Sequence, residues 1–254
     1  MHSHFVKSAK VLFVFCAPYS IIMHRLASRV TAGWMSMERR IRPAGTMSNA
    51  AWQQVWTKPN AGLAAWICAF GNWVGRIVTL SMLKDVDLRG GTILDLGCGH
   101  AEMTMTILQK HKCRALTAVD FCQQAIESVQ QRKGSLPVTT IQANLLTLEL
   151  DQQFDLVYSA MVIEHFWGDA RQEAIAQHAR FTKPGGYVFI NAPGQSLWSR
   201  MFHAFFNQPA GIYEEPLTAG ELCALLSDHG LHLIRLRSLL AGSVLFALAQ
   251  KKAR

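Results

Sequence analysis

The chain of 254 residues is long enough for one large domain with an extension, and short for two full domains. Half of its residues are hydrophobic, which supplies ample material for a buried core. The net charge of +8 is unevenly held: residues 1–46 contain seven basic side chains (Lys7, Lys10, Arg25, Arg29, Arg39, Arg40, Arg42) and one acid, Glu38, which leaves +2 for the other 208 residues. That near-neutral remainder offers no basic surface for a nucleic-acid backbone.

Residues 1–46 read as a basic leader, expected to be disordered or not part of the mature domain. Its apolar run, 11–23, is interrupted by Pro18 and falls short of the roughly 20 residues a spanning helix needs. Behind Lys7 and Lys10 the run has the form of a signal-peptide core, while the Arg-rich, acid-poor remainder has the form of a transit peptide. Met35, Met37 and Met47 offer later starts. The six cysteines (Cys16, Cys68, Cys98, Cys113, Cys122, Cys223) show no C-x-x-C spacing. Free thiols and a reducing, cytoplasmic setting are therefore expected.

A domain over 47–254 follows, with a helical cap over 47–91 and a core over 92–254. Within 61–83, Trp66, Ile67, Phe70, Trp73, Val74, Ile77 and Leu80 recur at spacings of three and four, which fits one face of a helix. Packing on the domain is the plain reading of that face. A lid over a pocket or a surface that touches lipid is the functional one, though membrane contact is not expected.

From residue 92, strands and helices alternate. Strands are expected at 92–96, 115–120, 138–142, 155–159, 187–192, 231–236 and 244–249. Helices are expected at 101–110, 123–132, 169–181 and 217–229, the last ended by Gly230. This predicts an α/β fold: a doubly wound, mostly parallel seven-stranded sheet covered on both faces. The last two strands, with no helix between them, form an antiparallel hairpin at one edge.

The sharpest signal is the run Thr92-Ile-Leu-Asp-Leu-Gly-Cys-Gly-His-Ala-Glu102. A buried strand enters a glycine turn and a helix follows, so Gly97 and Gly99 let a ligand lie against bare main chain. A dinucleotide fingerprint would need a glycine at position 102, where Glu102 stands, and no Gly-Lys-Ser/Thr follows to make a phosphate loop. Asp95, two residues before Gly97, suits a ligand bearing a positive ammonium rather than phosphates. Asp120 ends the second strand and is placed to accept hydrogen bonds from ribose hydroxyls, with a helix N-cap as the alternative. Phe121 follows and is placed to cover an adenine ring.

These residues, together with Val119-Asp120, residues 154–165 and residues 183–193, resemble the class I S-adenosylmethionine-dependent methyltransferases. The resemblance is to the broad small-molecule, type 11 group that includes quinone-biosynthesis enzymes, and it covers roughly residues 60–254. It implies a Rossmann-like methyltransferase fold and S-adenosyl-L-methionine as cofactor; the histidines show no ligand spacing such as H-x-x-x-H, so no metal site is expected. Asp95, Gly97 and Gly99 would hold the methionine moiety, with backbone contacts from Cys98. Asp120 would bind the ribose, Asn144 would meet the adenine edge, and Ser159 and Ala160 would line the methionine side through main chain. The loop departs from the family at Ala101, where a third glycine is usual, and at Asn144, where Asp is common.

Because a sulfonium methyl is already activated, positioning can supply about 7–11 kcal/mol, against about 10²–10⁴-fold for a general base. No elaborate catalytic constellation is therefore required. Glu164 and His165, after the fourth strand, are the candidate catalytic pair, with His165 as base toward an oxygen acceptor or as a packing residue of the pocket. The long stretch between Pro193 and Pro216 holds Trp198, Met201, Phe202, Phe205, Phe206 and Tyr213, a cap for an apolar or aromatic small-molecule acceptor or a helix packed on the sheet edge. The alternative function is a catalytically inactive cofactor-binding module acting as a partner or regulator. A nucleic-acid substrate is disfavoured, since Ser159-Ala-Met-Val stands where an Asn/Asp-Pro-Pro-Tyr/Phe sequence would be needed.

Overall fold

A computed structural model describes residues 62–196, 199 and 214–253. The expected leader, its boundary at residue 46 and most of the 193–216 connection lie outside the described residues.

The chain enters through helix α1 (Gly62–Leu83) and then alternates: β1 (Thr92–Leu96), α2 (Glu102–Lys110), β2 (Ala115–Asp120), α3 (Gln123–Arg132), β3 (Val138–Gln142), β4 (Phe154–Ala160), α4 (Asp169–Phe181), β5 (Thr182–Pro193), α5 (Ala219–Asp228), β6 (Leu231–Leu239) and β7 (Val244–Lys251). The seven strands form one sheet in the order β3-β2-β1-β4-β5-β7-β6. Strands β1 to β5 are parallel, and β7 runs antiparallel to both β5 and β6. The expected antiparallel pair is thus present, with β6 at the edge and β7 slotted beside β5.

Apolar residues on both parities of the strands make two cores possible. Ile93, Leu156, Phe189, Phe246 and Leu248 pack with Met82, Ile107 and Ile126 from α1, α2 and α3. Leu94, Leu96, Val157, Val188 and Ile190 pack on the other face with Ile175, Leu222 and Leu226 from α4 and α5. Each such fully buried aliphatic chain contributes roughly 1.5–3 kcal/mol, so stability is shared between the two layers.

Two boundaries differ from expectation for visible reasons. Helix α5 begins at Ala219, not 217, because Thr218 caps it: its hydroxyl accepts from the Glu221 amide at 3.1 Å and its amide donates to the Glu221 carboxylate at 2.6 Å. Leu217 is left to bridge Gly194. Strand β5 begins at Thr182, five residues early, because the ladder with β4 shifts register between Phe154 and Leu156 and takes in the Pro184-Gly185-Gly186 turn as an irregularity.

Candidate functional site

Strand β1 leads leftward to β2 and β4 leads rightward to β5, so the strand order reverses between two adjacent strands. In an open parallel sheet the connections after such strands diverge and leave a crevice at their carboxyl ends. The 97–101 turn, the end of β2 and the turn after β4 all meet at that edge. A depression lined by Gln153, Pro184, His229 and Lys251 lies at the opposite edge of the sheet and is remote from this crevice.

The glycine turn is fastened from beneath. The amides of Gly97 and Cys98 both donate to Val119 O, at 2.8 and 3.0 Å, and the Gly99 amide donates to Asp120 Oδ2 at 3.0 Å. Gly97 has φ +71°, and a Cβ there would stand 2.6 Å from Val162 Cγ2. Glycine is therefore demanded twice, by conformation and by the close approach of the turn after β4. Ala101 also sits in the left-handed region, at φ 52° and ψ 22°, and its buried methyl is accommodated there. The cost of this conformation to alanine is roughly 1–2 kcal/mol. Helix α2 starts directly after Ala101 with no side-chain cap, so its leading N–H groups face the crevice edge unsatisfied by side chains.

Asp95 lies buried behind the turn and accepts a hydrogen bond from Thr104 Oγ1 at 2.5 Å. Burial pushes its carboxyl up from 3.8 to about 7, the Thr104 hydroxyl pulls the other way, and Asp120 adds to the rise. Thr104 is a partner that sequence reasoning missed; a hydroxyl in the first turn of the helix after the glycine loop was the available signal. Cys98 is buried, and burial next to Asp95 and Asp120 holds its thiol neutral. Its amide is engaged by Val119 and its carbonyl by the Ala101 amide at 2.7 Å, so the backbone contacts expected of Cys98 compete with bonds inside the loop.

Asp120 accepts from Gly99 on one oxygen and from the Cys122 amide at 2.9 Å on the other. Burial raises its pKa and these amides offset the rise. The Phe121 amide also draws on this carboxyl, which leaves part of its four-lone-pair capacity for a ligand. Phe121 follows, half-buried, at the same edge. Asn144 is exposed, and its side-chain oxygen accepts from the Leu146 amide at 2.9 Å, capping the short 3-10 turn Leu145–Thr147. Its NH₂ rather than its carbonyl is then the group turned to other uses.

The side chain of Ser159 points away from the crevice into the α4 layer. Its hydroxyl bonds His178 Nε2 at 2.9 Å, and His178 Nδ1 bonds Ala174 O at 2.7 Å. The ring therefore donates from Nδ1 to the carbonyl and accepts at Nε2 from the hydroxyl. Burial lowers the His178 pKa from 6.5 to about 4. The Ser159 hydroxyl is thus committed to His178, which leaves its main chain as the part that a ligand at this edge could meet.

Glu164 and His165 lie on the 3-10 turn Ile163–His165 directly after β4, and both are buried. His165 Nε2 stands 3.8 Å from Glu164 Oε1. Neither carboxyl oxygen of Glu164 has a hydrogen-bond partner among the described residues. Burial holds this carboxyl well above the usual carboxylate range; Glu214 adds to the effect and Arg171 offsets part of it. The turn is held by Arg171, another residue sequence reasoning missed. Arg171 Nε donates to Phe166 O at 2.7 Å, and Nη2 donates to the Glu215 carbonyl at 2.8 Å and carboxylate at 3.2 Å. The Glu215 amide in turn donates to Glu164 O at 2.8 Å. The candidate catalytic turn and the far end of the 193–216 connection thus form one hydrogen-bonded ring.

A family profile described as a methyltransferase domain matches residues 93–186. The chain is 30% identical over 131 residues to malonyl-[acyl-carrier protein] O-methyltransferase of Anoxybacillus flavithermus, covering 51% of this chain and 49% of that protein. It is 31% identical over 125 residues to the mitochondrial ubiquinone biosynthesis O-methyltransferase of Dictyostelium discoideum, covering 44% and 38%. The chain thus spans about half the length, or less, of these curated relatives. Among solved structures, magnesium protoporphyrin IX methyltransferase from Synechocystis with bound SAH superposes with a TM-score of 0.62 at 14% identity, covering 80% of this chain and 93% of that one. An S-adenosylmethionine-dependent methyltransferase from Clostridium acetobutylicum gives 0.58 at 12% identity, covering 70% and 91%. These two likenesses show the Rossmann-like fold. No helix among the described residues is long and apolar enough to cross a membrane.

Proposed function

We propose that the chain, whose residues 93–186 match a methyltransferase-domain profile, is a class I S-adenosylmethionine-dependent methyltransferase and moves a methyl group from S-adenosyl-L-methionine to a small-molecule acceptor by in-line displacement. The observation that carries this reading is the bend at Gly97 and Gly99, flanked by the carboxyls of Asp95 and Asp120. Such a pocket fits the cofactor's cationic parts. Asp95 is buried without a counter-cation in bonding distance, and an ammonium would supply one. The uncapped start of α2 suits a carboxylate, and the remaining acceptor capacity of Asp120 suits a ribose hydroxyl. Phe121 and Asn144 border the place for the base, and the main chain of Ser159 the place for the methionine arm.

When bound, the cofactor supplies an activated methyl on a sulfonium. The chain's own contribution is mainly position, since the glycine turn, the end of β2 and the turn after β4 are tied to one another by the bonds described. His165 takes the acceptor's proton at an imidazole nitrogen. Glu164, with Oε1 3.8 Å from His165 Nε2, presents its carboxyl oxygen to the imidazolium that forms. Glu215, near the end of the connection after β5, is bonded to Glu164 and Arg171, and the acceptor proposed for this turn is a small molecule of apolar or aromatic character. A cytoplasmic setting belongs to this reading. Neither the left-handed Ala101 nor Asn144 favours the inactive alternative, since each is accommodated within its turn.

The test is calorimetric titration of the full chain with S-adenosylmethionine, followed by transfer of labelled methyl into a metabolite extract. Uptake and a labelled small product are expected. His165→Ala and Glu164→Gln should cut turnover while leaving cofactor affinity within about threefold, a change smaller than one lost hydrogen bond gives. No binding at millimolar cofactor would end the proposal; binding without transfer would revive the inactive module.

A further inference from the structure

We propose that Arg171 is a positioning residue for methyl transfer: it acts through His165, whose place it fixes with a fork of hydrogen bonds that a lysine cannot reproduce. This rests on His165 being the base, as proposed for the site.

Arg171 stands where a cation is unfavourable. It is the third residue of α4 (Asp169–Phe181), and a positive charge in the first turn of a helix opposes the positive end of the helix dipole. Its side chain is also only 12% exposed, so the guanidinium has lost most of its water. Both effects are offset by bonds that leave the helix altogether, since their acceptors belong to Phe166 and Glu215.

Those bonds straddle His165. Directly after it, Phe166 O accepts from Arg171 Nε at 2.7 Å. Directly before it, Glu164 O accepts from the Glu215 amide at 2.8 Å. Arg171 closes the circuit, because its Nη2 donates to the Glu215 carbonyl at 2.8 Å and to the Glu215 carboxylate at 3.2 Å. The carbonyls on both sides of His165 are thus fixed to one guanidinium, one directly and the other through Glu215.

The turn itself supplies little of this order. Ile163–His165 is a three-residue 3-10 turn with no side-chain cap. Its closing bonds, His165 N to Val162 O at 3.1 Å and Phe166 N to Ile163 O at 3.3 Å, are long. The direction of the imidazole therefore depends on the outside ties. A displacement of about 1 Å in a catalytic group costs on the order of 10²-fold in rate. A guanidinium spans Phe166 O and Glu215 because its donors are spread over a rigid plane, whereas an ammonium is a single point. Arg171 also opposes the effect of burial on the Glu164 carboxyl. A lysine would keep that charge effect and lose the fork, so it separates the two.

The experiment compares Arg171→Met and Arg171→Lys, each alone and combined with His165→Ala. The rate is that of labelled methyl entering a metabolite extract, counted per chain that binds S-adenosylmethionine in calorimetric titration, so that unfolded chains do not contribute. Both single variants should lose at least about tenfold in rate, with cofactor affinity within about threefold of the parent. On the His165→Ala background Arg171→Met should remove less than about twofold more, because the group it positions is already gone. A second readout needs no acceptor: the imidazole Cε1–H magnetic-resonance signal of His165, identified by its absence in His165→Ala, should be displaced in both variants. Full rate in Arg171→Lys would assign the effect to charge and overturn the proposal. Equal losses with and without His165, or an unmoved imidazole signal, would overturn it too. A parent that binds cofactor and transfers no methyl would end the functional reading, and this proposal with it. A parent that transfers methyl, with variants as fast as itself, would end this proposal alone.

Discussion

The Gly99 amide donates to Asp120 Oδ2 at 3.0 Å, joining the glycine turn to the end of the neighbouring strand across 21 residues. The other carboxylate oxygen takes the Cys122 amide at 2.9 Å, so one side chain shapes two segments of the candidate pocket. An amide in its place has one acceptor oxygen and would set an NH₂ against an N–H donor. Asp120→Asn should therefore weaken S-adenosylmethionine binding by about 10–100-fold and cost about 1–3 kcal/mol of stability. Titration calorimetry and urea unfolding measure the two effects. Unaltered affinity would remove Asp120 from the cofactor site.

Asp95 gives the pocket a pH dependence. Its pKa rises from 3.8 to about 7 on folding, chiefly through burial. Between those values the folded chain keeps a proton that the unfolded chain has released. The stabilising contribution is complete below pH 3.8 and is lost as pH rises through 7, on the order of 4 kcal/mol. Asp95→Asn should abolish this decline in urea unfolding followed from pH 5 to 8. A bound ammonium favours the ionised form, so cofactor affinity of the parent should increase with pH up to neutrality and that of the variant should not. An unchanged slope in the variant would mean that another group carries it.

His178 works in the opposite sense. Its pKa falls from 6.5 to about 4 through burial, so between those values the unfolded chain binds the extra proton and stability rises with pH. The window overlaps that of Asp95, and the two slopes oppose each other in the parent. His178→Ala should lower stability by about 3–5 kcal/mol through a cavity and an unpartnered Ser159 hydroxyl. It should also uncover the Asp95 decline between pH 4 and 6.5, which the His178 slope cancels in the parent. Thermal unfolding across that range checks both effects, and an unchanged slope would show that His178 is not the opposing group.

Gly97 and Val162 share one small space. A methyl at residue 97 would sit 2.6 Å from Val162 Cγ2 on a backbone with φ +71°, so Gly97→Ala should cost about 2–4 kcal/mol from overlap and conformational strain together. Adding Val162→Ala removes the overlap and leaves the strain. The double variant should thus recover about half of the loss, read from a double-mutant cycle in urea. Simple additivity would show that only the backbone matters.

The layers of the fold were legible because the inner strands β1, β2, β4 and β7 are largely apolar and buried, and turn residues separate the elements. β1, β2, α3, β3 and α4 have the expected bounds, and α1 differs by one residue. The T-x-x-E capping box at Thr218 was present to be read and corrects the start of α5. The start of β5 was not legible, because a register shift depends on the neighbouring strand and not on the segment itself. At the candidate site, the glycine turn and its acids stood out by spacing. The Thr104–Asp95, Ser159–His178 and Arg171–Glu215 bonds join residues whose pairing is decided by packing. His178 still left a trace. It lies four residues after Ala174 on the buried side of α4, and a polar group on an apolar stripe needs a partner.

The connection after β5 starts and finishes at one spot. Gln195 N donates to Leu217 O at 2.9 Å, Leu217 N to Pro193 O at 3.1 Å, and Gly194 lies so close to Gly242 O that a Cβ would stand 1.9 Å from it. The sheet is complete whatever the intervening chain contains, and each doubling of such a loop adds only about 0.6 kcal/mol of closure cost. The chain between Gln195 and Leu217 can therefore change in length at little cost to the sheet. A different insert there would leave the turn at Gly97 and Gly99 and the end of β2 as they are.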